Sequence, residues 1–548
     1  MRAFSFAHRA AEVADATSGV LDVLVVGLGA TGAGVALDAA SRGLSVAAID
    51  RGDLASGTSS KSSKLIHGGL RYLENYDFGL VYEGVTEREL LQRLAPHLVR
   101  PMDFVYPILP DTAKARLVGL GLTTYDVLAG VRNVRRHERL DAAEAVALAP
   151  ALASSGLQRA YVYGDCATDD ARLVLAVVTA ARRFGALALT YTAAERLLLD
   201  GAGRVCGVAV RDTLGGAAFE IRARHVVNAT GVWVDTLLAQ ESPDGGSHVV
   251  QPSKGVHLVV PRERVPLTGA AILMPSRQGD GRSMFAIPWG RQTILGTTDT
   301  AYDGPLDVVG IDAADVDYVL AAANALFDAA LHLDDVVGGW AGCRPLLRGT
   351  SESMSDLSRR HALSEGPSGL LTITGGKLTT YRRMAKDVVD RIAARDDRHA
   401  RCRTDEIPLG CARPFEAVLA DVTAAAAAVG VDGETAETLV RQHGEAAADV
   451  LALTADDPAL AAPLSPAAAH VAAEVVHAAR HEGAATLDDV FARRTRLALR
   501  ARDAALPAAL GAARLLARET GRDDAWAAGE VAAYEAAVRR ERGVLPLG

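Results

Sequence analysis

The stretch that most narrows the possible folds is L-D-V-L-V-V-G-L-G-A-T-G, residues 21–32. Leu21 to Val26 is a short β-rich run, and Gly27, Gly29 and Gly32 follow it in the spacing G-x-G-x-x-G. Gly27 permits a tight turn, Gly29 lets backbone approach a pyrophosphate, and Gly32 lets the next helix pack on the strand. An alanine-rich helical pattern runs to about Arg42, with Gly43 as its C′ residue. Leu44 to Ile49 reads as a second buried strand ending at Asp50. This is one βαβ unit of a parallel sheet. The helix start, at Ala30 and Thr31, offers free N–H groups to phosphate. Asp50 stands 23 residues after Gly27, where a carboxylate accepts hydrogen bonds from both ribose hydroxyls. The unit is expected to bind an adenine dinucleotide. The motif leaves FAD and NAD open, while the charge of Asp50 opposes the 2′-phosphate of NADP.

A second elbow of the same kind comes late. Gly369 to Ile373 reads as a strand, and T-G-G-K-L-T-T-Y-R, residues 374–382, turns it into a helix start. Just after the first βαβ unit, Thr58 to Leu73 reads T-S-S-K-S-S-K-L-I-H-G-G-L-R-Y-L, a polar, donor-rich segment. One reading is a solvated loop capped by serines. The other has Thr58, Ser59, Ser60, Ser63, Lys64, Leu65, His67, Gly68 and Gly69 lining the dinucleotide, with Arg71 and Tyr72 projecting into a substrate pocket.

A chain of 548 residues exceeds what one core serves, so two or three domains are expected. Between about Ala186 and Ala229 the pattern alternates like an antiparallel meander, with turn signals at Asp200-Gly201 and Gly215-Gly216. Another β-rich section runs from about Gly255 to Asp299, with a hairpin at Trp289-Gly290. Beyond Pro414 alanine, leucine, arginine and glutamate dominate, which predicts a separate all-helical domain. Ser465-Pro466 looks like a helix N-cap with proline at the first position, and Thr486…Asp489 like a capping pair. The expected organisation is a lead-in helix over residues 1–20, an α/β domain over 21–400 and a helical domain over 401–548. Five cysteines without C-x-x-C spacing fit reduced thiols in a cytoplasmic setting, with no disulfide frame and no thiolate metal site. The net charge of −9 argues against a nucleic-acid partner. No apolar run reaches the length of a membrane span. The segment F-A-R-R-T-R-L-A-L-R-A-R from Phe491 puts several arginines on one helix. Contact with acidic lipid and ion pairing with the preceding domain or a neighbouring subunit both fit it.

Taken in order, G-L-G-A-T-G-A-G, T-S-S-K-S-S-K-L-I-H-G-G-L-R-Y-L, D-D-A-R-L-V, V-N-A-T-G, G-T-T-D, R-P-L and G-G-K-L-T-T-Y-R resemble the FAD-dependent glycerol-3-phosphate dehydrogenases. The resemblance covers roughly residues 20–390, and the tail is similar to the family's C-terminal domain. It differs in two places: Leu28 stands where many members have a third glycine, and Asp50 where glutamate is commoner. It implies a Rossmann-like FAD-binding domain interleaved with an antiparallel β substrate domain, and an all-α C-terminal domain. On the same resemblance the late elbow closes over the flavin, with Gly376, Leu378 and Thr379 as neighbours and Lys377 facing both cofactor and substrate. Thr230 and Gly231, in N-A-T-G, pass beside the cofactor.

The substrate so implied, sn-glycerol 3-phosphate, needs a phosphate site, a proton acceptor and a group to receive hydride from C2. Arginine suits phosphate because its planar fork binds two oxygens. Arg71 and Arg359 are expected to hold phosphate, and Arg344 and Lys377 to lie near the reacting oxygen. His257 is the expected base and His67 its rival. Quinone is the acceptor the family implies, with oxygen in its oxidase relatives. A peripheral contact on the inner face of the membrane and a homodimer complete the expectations; no metal is expected.

Overall fold

The computed structural model describes residues 2–110, 112, 115–241, 248–275, 283–348 and 361–548; the side chains of residues 71, 74, 75, 115 and 116 lie outside that set. A short helix, Arg9–Thr17, precedes the first strand, Val20–Val26. That strand is the centre of a sheet in which Val46–Ile49 and Ala218–Asn228 flank it in parallel. Outside these lie Leu187–Leu189 on one side and Leu371–Gly375 on the other, also parallel, and His361–Glu365 closes the edge antiparallel. The near-continuous burial of Val23 to Val26 and Val46 to Ile49 is what a parallel strand covered on both faces requires. The helix Ala30–Ser41 covers one face, with nearly every residue buried.

The meander expected over Ala186–Ala229 is present. Thr192–Leu199, Val205–Asp212 and Ala218–Asn228 pair antiparallel, and the last returns beside the first strand. The second sheet is largely antiparallel and built from distant segments. It joins Arg100–Ile108 and Arg159–Ala167 to Val250–Pro261, Ala271–Pro275, Ser283–Trp289, Gln292–Gly296 and Gly338–Leu347. The hairpin between Ser283–Trp289 and Gln292–Gly296 turns at Gly290, where φ is +61°.

From Arg401 onward the elements are helices, with one isolated bridge between Pro463 and Val471. Their cores are built mainly of alanine, leucine and valine. Thr486 and Asp489 cap each other as expected: the Thr486 N–H donates to Asp489 Oδ2 (3.1 Å), and the Asp489 N–H donates to Thr486 Oγ1 (3.2 Å). Two local expectations are corrected. The second strand begins at Val46, not Leu44. Ser465-Pro466 starts no helix; Ser465 Oγ accepts from the Ala467 N–H in a turn, and the helix begins at Ala473. Just ahead of that helix the Val471 N–H donates to the buried Glu474, which also contacts His470 Nδ1.

Candidate active site

Both glycine elbows and one face of the second sheet open on one cavity of about 730 Å³. At the first elbow Gly27 has φ +105°, and a Cβ there would lie 2.6 Å from the Ala229 carbonyl oxygen. A Cβ on Gly32 would fall 1.8 Å from the Gly27 carbonyl oxygen, so helix and strand meet with no room for a methyl group. Ser59 Oγ accepts from the Ala30 N–H (2.9 Å), tying the serine-rich segment to the helix start. Asp50 sits at the end of its strand and accepts from the N–H groups of Leu28 (2.8 Å) and Gly52 (3.0 Å). Burial pushes its carboxyl up to about 6 despite those two donors.

The late elbow has the same mechanics. Gly375 and Gly376 both lie in the left-handed region, at φ +72° and +77°, and the helix Tyr381–Arg395 follows a short turn. A Cβ on Gly376 would meet Met384 Sδ at 2.4 Å. Thr379 Oγ1 accepts from the His67 N–H (3.2 Å), which stitches this elbow to the donor-rich segment. The helices leaving the two elbows pack on each other at Gly34, where a Cβ would lie 2.9 Å from Tyr381 Cδ2.

The chemistry-bearing side chains come from three directions. His257, on Val250–Pro261, is 2 % exposed and stacks on Trp340 at 4.9 Å between ring centroids. Its Nε2 shares a hydrogen with Ser63 Oγ at 2.8 Å, and its buried Nδ1 has no hydrogen-bond partner among the described residues. Burial, then Arg344 and Lys64, hold the imidazole well below its usual range, so it is neutral. Arg344, on Gly338–Leu347, donates to Thr297 Oγ1 (3.0 Å) and pairs with Asp299 (3.3 Å). Lys377 places its ammonium 3.5 Å from the Tyr72 ring centroid, a cation–π contact.

Of the residues singled out in the sequence, Gly27, Gly29, Ala30, Thr31, Asp50, Thr58, Ser59, Ser63, Leu65, His67, Gly69, Tyr72, Thr230, Gly231, His257, Arg344, Gly376, Lys377, Leu378 and Thr379 line the cavity. Gly32, Ser60, Lys64 and Gly68 stand behind its wall. Lys64 turns away because Asp170 lies there: its ammonium donates to Asp170 (2.9 Å) and to the Ser60 carbonyl (3.2 Å), above the Trp340 ring. Gly68 packs where a Cβ would lie 2.4 Å from Tyr125 Oη. The side chain of Arg71, and all of Arg359, lie outside the described residues. Sequence reasoning missed Trp340 and gave no role to Thr297 and Asp299, although G-T-T-D was visible as a motif. It also missed Asp488, Arg493 and Glu541, which bring the helical domain to the cavity wall.

A single cavity walled by two glycine elbows, with a capping serine, a strand-end carboxylate and no room for methyl groups, fits an extended dinucleotide with a second aromatic head. That is the fold and site of an FAD-dependent oxidoreductase. The family model "FAD dependent oxidoreductase" matches residues 22–382, and "C-terminal domain of alpha-glycerophosphate oxidase" matches residues 402–527. Glycerol-3-phosphate dehydrogenase 2 of Mycobacterium tuberculosis is 41 % identical over 522 residues, 95 % of this chain and 88 % of that protein. The aerobic glycerol-3-phosphate dehydrogenase of Bacillus subtilis is 35 % identical over 508 residues, 90 % of each. The solved glycerol-3-phosphate dehydrogenase from Bacillus halodurans, complexed with FAD, superposes with a TM-score of 0.82 at 30 % identity over 98 % of both chains. The chain belongs to the FAD-dependent glycerol-3-phosphate dehydrogenase family.

Proposed function

We propose that the protein oxidises sn-glycerol 3-phosphate to dihydroxyacetone phosphate, with FAD as its cofactor. The observation that carries this reading is the meeting of a neutral buried imidazole, a guanidinium and an ammonium in the cavity that also holds both glycine elbows. FAD, when bound, supplies the acceptor for the hydride that leaves C2. Gly27, Gly29, Thr31, Asp50, Ser59 and Thr230 hold its adenine half, and Gly376, Leu378 and Thr379 its flavin half. The chain's own side chains then have three tasks. Phosphate goes to Arg71 and Arg359, an assignment that rests on their positions in the family motifs. The C2 hydroxyl goes to Arg344 and Lys377, whose charges lower the alcohol's pKa. Its proton goes to His257, kept unprotonated by burial; a weakly basic imidazole beside two cations is matched to an acidified alcohol. His67 touches the cavity at the flavin-side elbow and serves in cofactor binding.

Quinone is the electron acceptor we favour. Its support is an apolar face: Tyr76, Phe78 and Tyr82 stand exposed at or near the start of the helix Phe78–Leu94, and Leu117, Leu120 and Val127 on the helix Ala115–Ala129 packed beside it, with Val131 just beyond. Arg132 lies over the Tyr82 ring at 5.4 Å, a cationic rim on an apolar patch. The turn that precedes the first of these helices, Leu70–Asn75, supplies Leu70 and Tyr72 to the cavity wall. Such a face suits contact with a bilayer surface, where quinone resides; among the described residues no helix is long and apolar enough to cross a membrane. The test is anaerobic stopped-flow. Glycerol 3-phosphate should bleach the flavin while glycine, sarcosine and lactate leave it yellow, and the bleached enzyme should be reoxidised by a short-chain quinone faster than by oxygen. Bleaching by an amino acid would reassign the substrate, and faster reoxidation by oxygen would make the enzyme an oxidase.

A further inference from the structure

The helical domain sends three closely spaced arginines, Arg493, Arg494 and Arg496, into the α/β domain, and they are buried. The segment Asp489–Arg494 is wound as a π-helix, which presents Arg493 and Arg494 to the same carboxylate. Arg493 Nε donates to Asp53 Oδ2 at 2.6 Å; Arg494 grips Asp53 with both ends of its fork, at 2.6 and 3.0 Å. Arg496, held in the left-handed region at φ +64°, donates to Asp169 (2.7 Å) and Asp170. Arg493, Arg494, Arg496, Asp53 and Asp170 are each at most 6 % exposed.

Both acidic ends of this contact stand directly behind the cavity. Asp53 is the middle of the loop from Asp50 to Gly57, whose ends Asp50, Arg51, Ser56 and Gly57 line the cavity. The same loop is fixed at Ala55, whose N–H donates to the Leu28 carbonyl of the first elbow (2.9 Å). Asp170 accepts from the Ser62 hydroxyl (2.7 Å) and from Lys64 (2.9 Å), on either side of Ser63. Arg494 is not among the described residues that line the cavity, whereas its neighbour Arg493 is. Withdrawing its fork would leave Asp53 buried with half its partners, and the loop would have to move to hydrate it.

We infer that Arg494 is a positioning residue for cofactor retention: by clamping Asp53 it holds the Asp50–Gly57 loop closed on the adenine half of FAD, so that the helical domain governs flavin release. The inference rests on the flavin reading of the cavity.

The test uses the full-length holoenzyme. Flavin release is followed by the rise in flavin fluorescence after dilution, and folding independently by circular dichroism. Arg494→Gln should release flavin at least tenfold faster than wild type while keeping the helical spectrum. Arg494→Lys keeps the charge but not the fork, and should fall between the two. The double variant Asp53→Asn/Arg494→Gln removes both charges and, if the single glutamine variant does not fold, is the one measured, with Arg494→Lys beside it. Release at the wild-type rate in whichever of these variants folds would overturn the inference, as would release that begins only when the circular dichroism melts. A wild-type protein that holds no flavin would instead remove the reading beneath it.

Discussion

Replacing His257 by glutamine removes the proton acceptor we propose and leaves a side chain that still reaches Ser63. A positioned general base accelerates proton transfer by about 10² to 10⁴, or about 2.7–5.4 kcal/mol of barrier. The surroundings select the lower end of that range. Burial, followed by Arg344 and Lys64, lowers the basicity of His257, so the ring is a weak base, and the charges of Arg344 and Lys377 make the alcohol easier to deprotonate without it. The rate constant for flavin reduction by saturating glycerol 3-phosphate should therefore fall about 100-fold. Loss of the stack on Trp340 costs only about 0.5–1.5 kcal/mol of stability, so the variant should fold and hold flavin. Anaerobic stopped-flow at neutral pH reads the reduction rate, and its dependence on substrate concentration shows whether binding has changed. The pH profile gives a second check. Neutral imidazole is the form that accepts a proton, and its lowered pKa keeps it neutral as pH falls. Wild-type reduction should thus hold its rate below pH 6.5, the ordinary histidine value. Reduction within threefold of wild type in His257→Gln, or an acid limb centred at 6.5 or above, would refute the assignment.

Asp50→Asn keeps the shape of the ribose site and removes its charge. Because burial raises Asp50 to about 6, FAD binding to the wild-type apoprotein should weaken below that pH, by up to about tenfold per unit where only the carboxylate binds, and titration of the asparagine variant should give a flat profile. Gly32→Ala should cost about 3 kcal/mol or more of stability in urea unfolding, since its Cβ would collide with a backbone oxygen that cannot yield; a loss under 1 kcal/mol would mean that helix and strand separate freely. Arg71→Ala should raise KM for glycerol 3-phosphate far more than for glycerol; an equal rise for both would remove Arg71 from the phosphate site.

Features whose causes are local were legible in the sequence. The first elbow, the meander turns, the hairpin at Gly290 and the Thr486–Asp489 cap each depend on backbone preferences within a few residues, and each occurs where the pattern put it. Features set by distant partners were not. Lys64 sits in a segment rich in cavity-lining donors, yet its partner, Asp170, lies 106 positions away, and nothing in T-S-S-K-S-S-K tells which lysine turns inward. Trp340 reaches His257 only through the cross-strand register between Val250–Pro261 and Gly338–Leu347. The arginines from Phe491 onward fitted lipid and protein equally as a string. Their burial against Asp53, Asp169 and Asp170 decides for protein. Ser465-Pro466 shows the reverse failure, a sound local signal that closes only a turn, with the helix starting at Ala473.

The distance in sequence between the two elbows also follows from the sheet. Leu371–Gly375 pairs with Ala218–Asn228, which pairs with Val20–Val26, so the late elbow leaves the same sheet two strands from the first. At about 4.8 Å per strand that is an offset of about 10 Å across the sheet. A single βαβ unit ends one strand away and on the other side, at Asp50, the carboxylate we assign to the ribose. An elbow on the opposite flank needs a strand that joins the sheet there, and the chain reaches that position only after building the meander and most of the second sheet. The helix that follows, Tyr381–Arg395, then points its N-terminus toward the same cavity as Ala30–Ser41, and packing at Gly34 fixes the angle between them. Each N-terminus favours nearby negative charge by about 0.3–1 kcal/mol at an exposed site and by more when buried. One therefore suits the pyrophosphate and the other the electron-rich end of a reduced flavin. The second sheet lies between the two elbows in sequence, and it brings His257 and Arg344 to the cavity that both elbows line.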